Sequence, residues 1–542
     1  MKVYHIRSLE QLKPYQKMWD HILDINQNDN PFIEFQWIEN WWKYLGRNRG
    51  VEIIVVEKAD NVIAFFPLQI THMMKSTVIE FLGRGEAHYM DIVVYDDERE
   101  QVIQYVFDEL MESMPKCIFN LHGLLSSSPT TNMLSLYLAR RKCEPTIFSI
   151  VTPFVKTDTL NLEDYLKKRS KIHGLNRREK RLRYLGHPKV MTSSPDEIEQ
   201  VFTLHDKRWR KMDETNFTDE EHQMFYSALL NCEDGPMKAK VEGLYLDDQM
   251  IAFSYVFKCR GRHVGYLNGH DPDYSLYGPG TILDKELITR SQNDDLRIYD
   301  LSIGYEPYKF DWNTGVDYTN NFLFSSNEWQ TQMVFQLIKG KGYVKEILKK
   351  NYKVLLFKNE FLGKNLHFFR NASFREWVKA FRSQVGKIYS QKSVEIYQQK
   401  QGTKDSLDYQ MLIYPEARKR HHDLKQTNKW FYNGFTPYGD ANVSMFWVHP
   451  NVIRVDEVDY LQELPKNSAY IAEWQIHKLS SVCSFLRQDN GVQDIFLHTT
   501  KKDEVTTKHL QQLGFTHVSS IKKRNLLFKP STQVLTNSTS KQ

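Results

Sequence analysis

"HVGYLNGHDPDYSLYGPGTILDKELITRSQNDDLRIYDLSIG", residues 263–304, is the stretch whose reading decides the fold. It opens as a strand and passes a glycine-rich turn at Tyr277-Gly278-Pro279-Gly280-Thr281. The periodicity of TILDKELITRSQ predicts a helix, and LRIYDLSIG predicts a strand. The chain then breaks at Gly304 and presents Tyr305, Glu306, Pro307, Tyr308 and Lys309 before Phe310 and Trp312. A segment leaving a buried strand thus offers a carboxylate, two phenols and an ammonium at once.

Upstream, KKRSKIHGLNRREKRLR (167–183) lies in a predicted helix over 163–186 that ends at Gly186. SPDEIEQVFTLHDKRWRKM predicts a second helix with a start signal, and AKVEGLYLDDQ and MIAFSYVFKCRGR predict two strands about a polar turn. Residues 156–325 therefore read strand, strand, strand, helix, strand. Residues 1–155 give the same order. PFIEFQWIENWWKYLG predicts an aromatic-rich helix. VEIIVVEKAD, VIAFFPLQIT, VIEFLG and YMDIVVY predict strands; EREQVIQYVFDELMESM predicts a helix; CIFNLHGL and PTIFSIV predict strands. The expected class is α+β, with two mostly antiparallel sheets flanked by helices. Next comes a basic helical connector (326–400), including the amphipathic FREWVKAF. A third α+β module (401–530) closes in strand, helix, Leu-Gly-Phe, strand, strand, and a polar tail (531–542) is expected to be disordered.

Length sets a prior of three or four modules for 542 residues. Five scattered cysteines lack metal-ligand or paired spacing, so neither a disulfide framework nor a zinc site is expected, and a reducing compartment fits. No apolar run reaches signal-peptide or membrane-span length, and the expectation is a cytoplasmic protein. The net charge of +5 is unevenly spread: residues 339–392 hold fourteen Lys/Arg against three Glu, and 167–183 hold nine against one. Such segregation points to a polyanion or anionic lipid, or else to a solvated helix face.

The strand, turn, helix, strand order resembles the core of the GNAT N-acyltransferase fold, and two units in tandem resemble the layout of Fem-type transferases. The closer resemblance is to the CelD-type (cellulose-biosynthesis, acetyltransferase 6) family. It is carried by PFIEFQWIENWWKYLG, KRSKIHGLNRREKRLRYLG, LHDKRWRKM, YLNGHDPDYSLYGPGTILDKELI and IYDLSIGYEPYKFDW, over roughly 30–325. The LGF close of the third module resembles the end of an ordinary GNAT domain.

The resemblance implies an acyltransferase whose donor is acetyl-CoA or another acyl-CoA, without a metal. Its acceptor would be a sugar or amino sugar of a cell-envelope or exopolysaccharide precursor. Gly278, Gly280, Thr281 and Lys309 are expected at the donor phosphates, because a helix N-terminus offers free N–H groups and glycine admits close approach. The familiar Q/R-x-x-G-x-G/A turn is replaced by G-P-G-T, so an aminoacyl-tRNA donor, with 167–183 on its phosphates, stays open; otherwise nucleic acid is not expected. Glu306, Tyr308 and His270 are the expected acid–base groups. Asp300, His205, Trp209 and Asp91 are expected to hold the acceptor. The alternatives at these positions are a packed corner stapled by a Glu306–Lys309 ion pair and a plain turn at Asp271-Pro272-Asp273. The basic helices within 339–392 suggest peripheral contact at the inner membrane face, and a non-catalytic scaffold there is the remaining alternative.

Overall fold

A computed structural model gives the fold and describes residues 1–168, 170–209, 219–294, 296–326, 328–350, 389–400, 409–421, 423–440, 445–475, 477–488, 490–500, 504–526 and 529–536. The chain divides into two compact units. The larger holds residues 1–179 and 187–365, the smaller 180–186 and 366–542.

The larger unit is built on one sheet of thirteen strands. The first half supplies β1 (Lys2–Ile6), β2 (Val51–Lys58), β3 (Asn61–Met73), β4 (Ser76–Phe81), β5 (Val93–Val94), β6 (Cys117–Leu125) and β7 (Thr146–Lys156). The second supplies β8 (Pro188–Thr192), β9 (Lys238–Leu246), β10 (Gln249–Cys259), β11 (Arg262–His270), β12 (Ile298–Asp300) and β13 (Gly315–Ser325). β1 to β4 run antiparallel in order, and β6 joins β4 in parallel after the helix Arg99–Ser113. β8 to β11 repeat this, and β12 joins β11 in parallel after the helix Pro279–Asn293. A parallel pair needs such a crossover, so the helix and its two strands form one unit in each half.

The halves exchange their last strands. β7, from the first half, pairs with β12 of the second, whereas β13, from the second, pairs with β6 of the first. β7 and β13 then pair with each other and close the sheet at its centre. One hydrophobic cluster accordingly runs from Ile6 and Trp19 through Phe65 to Phe257 and Tyr266. The PFIEFQWIENWWKYLG motif is the seam: Phe32 packs 5.5 Å, ring to ring, from Phe257 and 5.6 Å from Tyr266, and Glu34 forms an ion pair with Arg260.

The structure adds elements that alternation did not reveal: β1, β8, β13, and helices at Pro129–Arg140, Glu220–Leu230 and Pro307–Trp312. β12 is shorter than the expected strand through Ile303, because Ser302 (φ 65°) and Gly304 (φ 132°) turn the backbone out of the sheet. The helix Trp329–Lys350 begins the connector; residues 351–388, FREWVKAF among them, lie outside the described residues.

In the smaller unit an eight-stranded sheet carries a parallel pair, Ser468–Glu473 with Asp494–Thr499, spanned by the helix Leu479–Gln488. The strand Tyr389–Gln399 lies between Asp494–Thr499 and Phe515–Leu526. Residues 531–536, expected as disordered tail, instead belong to the strand Lys529–Thr536. That strand pairs along Phe515–Leu526, where apolar Val534 and Ile521 meet in register.

His263 fastens the second crossover helix to the sheet. It is buried, shares one hydrogen bond with Ser291 at 3.1 Å, and packs on Tyr299. Burial, with Lys258 nearby, lowers its pKa from 6.5 to about 3. Between those values the unfolded chain holds a proton that the folded chain does not. Stability should therefore be full above pH 6.5 and fall as pH drops toward 3, by up to about 1.4 kcal/mol per pH unit. Urea denaturation at a series of pH values measures that slope, and it should flatten in His263→Gln.

Candidate functional site

The second half opens where β11 and β12 part. They pair only from Arg262–Ile298 to Val264–Asp300. The β10–β11 register then slips, with Tyr255 opposite Leu267 and Val256 opposite Gly265, which leaves Tyr266 as a bulge. A bulge twists and re-aims the strand beyond it. β11 runs on to His270 while β12 has ended, and the wedge between them is a cavity of about 520 Å³.

Three features line this cavity. The first is the mouth of the Pro279–Asn293 helix. Gly278 caps it in the left-handed region (φ 64°), which a side chain would strain, and Pro279 has no N–H to satisfy. The N–H groups of Gly280 and Thr281 therefore head the helix at the cavity, where its dipole favours negative charge. A methyl group at Gly280 would come no nearer than 3.9 Å to any neighbour, His270 Nδ1 being the closest. Arg178, from the helix Ser170–Leu182, lays its guanidinium beside this mouth, 3.1 Å from where a Cβ on Gly278 would be. Lys285 to Glu179 at 3.1 Å ties the two helices together.

The second feature is the corner after β12. Leu301 N and Gly304 N donate to the Pro153 and Val151 carbonyls at 3.0 and 2.9 Å, which anchors the corner on β7. Lys309, buried, donates to the Ile303 carbonyl at 2.5 Å and pairs with Glu306 at 3.1 Å. Glu306 keeps 49% of its side chain exposed, and Glu306, Tyr308 and Lys309 all line the cavity. The staple and the cavity-lining arrangement, alternatives in the sequence, coexist. The third feature is His205, buried on the helix Ile198–Trp209, which also lines the cavity.

Gly278, Gly280, Thr281, His270, His205, Glu306, Tyr308 and Lys309 are thus brought together. Two carboxylates are not. Asp300 is fully buried beneath the wedge, accepting from Tyr89 Oη and Arg262 Nη1, each at 2.8 Å, and from Ser302 N at 2.7 Å. Burial and that carboxylate push the Tyr89 phenol well up, so it stays a donor. Asp91 lies in the first half, where it accepts from Ile92 N and Ser128 Oγ and stands 4.0 Å from Arg99. Both are engaged by internal donors and neither lines the cavity. The Trp209 side chain lies outside the described residues. Asp271 and Asp273 form the turn, each accepting from Lys207 at 2.7 Å.

Arg178, Asn268 and Ser302 also line the cavity and carry no distinct signal in the sequence; His88, which lines it too, stands in the glycine-rich GRGEAHYMD (83–91), where the sequence offers it with Asp91 as a contact to an acceptor sugar. Arg178 is legible there only as one cation in a basic run. His88 belongs to the first half and hydrogen-bonds Ser302 across the seam. Among the described residues no cluster of three or more His, Cys, Asp or Glu could hold a metal ion, and no helix is long and apolar enough to cross a membrane.

Residues 169–310, which hold every part of this wedge except His88, match the acetyltransferase (GNAT) domain family. No curated protein sequence matches the chain. Among solved structures the chain is similar to FemX, at 12% identity over 62% of this chain and all of that one (TM-score 0.44). It is similar to a tandem GNAT protein from the clavulanic acid biosynthesis pathway, at 8% identity over 60% and 99% (TM-score 0.36). A third likeness is to a GNAT-family acetyltransferase from Colwellia psychrerythraea, at 9% identity over 60% and 100% (TM-score 0.32). The molecule is α+β, the stretch that matches the GNAT domain family is residues 169–310, and the first half of the larger unit repeats the strand order of its second half.

The two kinds of carboxylate should part on mutation. Asp300→Ala strands a buried guanidinium and should cost about 3 kcal/mol of stability. Glu306→Gln removes a half-exposed ion pair and should cost less than about 1 kcal/mol. Chemical denaturation of the two variants checks the contrast.

Proposed function

We propose that the protein is an acyl-CoA-dependent N- or O-acyltransferase, with an amino sugar or sugar of an envelope or exopolysaccharide precursor as acceptor. The observation that carries this reading is the helix mouth at Gly280 and Thr281, beside Arg178, opening into the same cavity as Glu306 and Tyr308.

When bound, acyl-CoA would supply the thioester. The chain's own residues would do the rest. Gly280 and Thr281 amides and the Arg178 guanidinium would take the diphosphate charge, since backbone donors at a helix N-terminus and a forked cation both suit phosphate oxygens. The open β11 edge beyond the Tyr266 bulge would carry the pantetheine amide into the wedge. Glu306 would accept the proton of the attacking amine or hydroxyl, and Tyr308 would deliver one to the departing sulfur. Lys309, 3.1 Å away, would hold Glu306 in place. The group transfer is direct, so positioning carries the rate and no activated nucleophile is required.

A separate feature supports a place at the inner face of a membrane. The helix Trp329–Lys350 exposes Trp329, Met333 and Leu337, spaced four residues apart, and sets Lys339 and Lys341 close by. Apolar and cationic groups together on one helix suit an anionic lipid surface. The rest of the basic 339–392 stretch extends over 351–388, which lie outside the described residues.

Calorimetric titration with acetyl-CoA and longer acyl-CoAs tests the donor reading. Wild type should bind, and Gly280→Asp, which the space at Gly280 accommodates without refolding the turn, should lose at least about tenfold in affinity. Equal affinity in the two proteins would overturn it, and salt-sensitive tRNA binding in place of acyl-CoA binding would favour the aminoacyl donor.

A further inference from the structure

A second cavity, of about 510 Å³, adjoins the first and shares His88 and Ile303 with it as a common wall. Consecutive residues of the corner serve the two sides: Tyr305 lines the second cavity and Glu306 the first. Its floor is the face of β3, β4, β6, β7 and β13, and Ile338, Lys341 and Gly342 of the Trp329–Lys350 helix line its other side. The helix comes this close because position 342 is glycine; a Cβ there would lie 2.5 Å from the Phe148 ring.

This floor is not an ordinary core face. β6 and β13 break register here, Asn320 standing opposite Leu124 and Phe322 opposite Leu121, so His122, Gly123 and Asn321 are displaced from the ladder. Bulges of this kind are over-represented next to active sites. Asn120, His122, Ser149, Thr319, Asn320 and Asn321 all line the space. Some are used internally: Ser149 Oγ donates to Asn320 Oδ1 at 2.7 Å, and Asn320 Nδ2 to Ser126 Oγ at 2.8 Å. Asn321 Oδ1 is buried with no hydrogen-bond partner among the described residues. A buried amide oxygen left in that state is costly. The other part of the lining is apolar, with Met73, Val78, Phe148 and Ile338.

We infer that this second cavity is the acceptor chamber, and that it takes a hydroxyl-bearing amino sugar whose apolar substituent lies along Met73, Val78, Phe148 and Ile338. The inference rests on the acyltransferase reading and deepens it. Nucleophile and thioester would meet at the His88–Ile303 wall, with the amine arriving from the first half and the donor from the second. The new C–N bond replaces the C–S bond, and the proton lost by the amine balances the one gained by the thiolate. Charge selects the class. Glu80 already accepts from Gln69 and Asn120 and pairs with Arg84, which leaves Lys341 as an uncompensated cation at the chamber among the described residues. A polyamine or a lysine-rich peptide would be repelled there.

The test uses the full chain, calorimetry without donor, and acetyl transfer with it. The probes are 4-nitrophenyl β-D-glucosaminide, free glucosamine, octylamine and spermidine. The glucosaminide should bind and be acetylated at least about tenfold better than any of the other three, since only it fills both parts of the lining. Ser149→Trp, which fills the chamber, should abolish glucosaminide binding while acetyl-CoA affinity stays within about twofold. Asn321→Leu removes the unpartnered amide, so its melting temperature should equal or exceed that of wild type while glucosaminide affinity still falls by about tenfold. A purely structural asparagine would not divide those readouts. Failure of wild type to bind the glucosaminide, equal use of octylamine or spermidine, or retained binding in both variants would overturn the chamber. Failure to bind acetyl-CoA with glucosaminide binding intact would overturn the donor reading alone.

Discussion

The wedge depends on how one buried carboxylate is held. Asp300 ends β12 at the last pair before β11 departs, and its two oxygens are shared among Arg262 on β11, Tyr89 from the first half and the Ser302 amide. A charge with no exposure survives only if its lone pairs are filled, so the three donors cannot drift independently. Arg262 in turn pairs with Asp29 at 3.0 Å beside the Phe32 seam, and that pairing raises its pKa further. The point where the strands diverge, the left-handed residue that ends β12 and the contact between halves are therefore one network. Were Asp300 turned out into the cavity to bind substrate, the guanidinium and phenol at the apex would lose the acceptor that joins them.

The two halves share a strand order but not a helix mouth. In the second, the crossover helix starts Pro-Gly-Thr after a Gly278 cap and opens on space. In the first, it starts at Arg99, a buried cation bonded to Thr130 and Asp96 and standing 4.0 Å from Asp91. A guanidinium lodged at a helix N-terminus opposes the dipole and is tolerated only with carboxylates around it. Asp91 is thus part of what makes the repeat asymmetric, one half presenting a helix mouth open to a cavity and the other a sheet face carrying polar groups.

Much of this is legible in the sequence because local pattern reports local structure. The strand order, the glycine-rich helix entry and the grouping of Glu306, Tyr308, Lys309, His270 and His205 come from alternation, turn chemistry and family likeness. The remainder has no local signature. The exchange of β7 and β13 joins residues more than 150 apart, and a strand looks alike whichever neighbour it takes. The burial of Asp300 and Asp91 has no signature either, because a carboxylate in a motif looks the same whether it faces water or buried donors. Arg178 is hidden among nine cations, and the second cavity is made by bulges and a helix that meet only in three dimensions.

The corner itself explains the odd composition after β12. Gly304 lies at φ 132°, and a Cβ there would collide with Glu306 Oε2, so the Glu306 carboxylate folds back over the space a side chain would occupy. That fold places it 3.1 Å from Lys309 Nζ, which also donates to the Ile303 carbonyl at the shared wall. Any residue but glycine at 304 would push Glu306 outward and break this chain of contacts at its first link, even with every polar group still present. The carboxylate, phenols and ammonium are therefore not a solvated loop. They are the short stretch of backbone that must turn between two cavities, and the left-handed turns at 302 and 304 are what let Tyr305 and Glu306 line opposite sides of it.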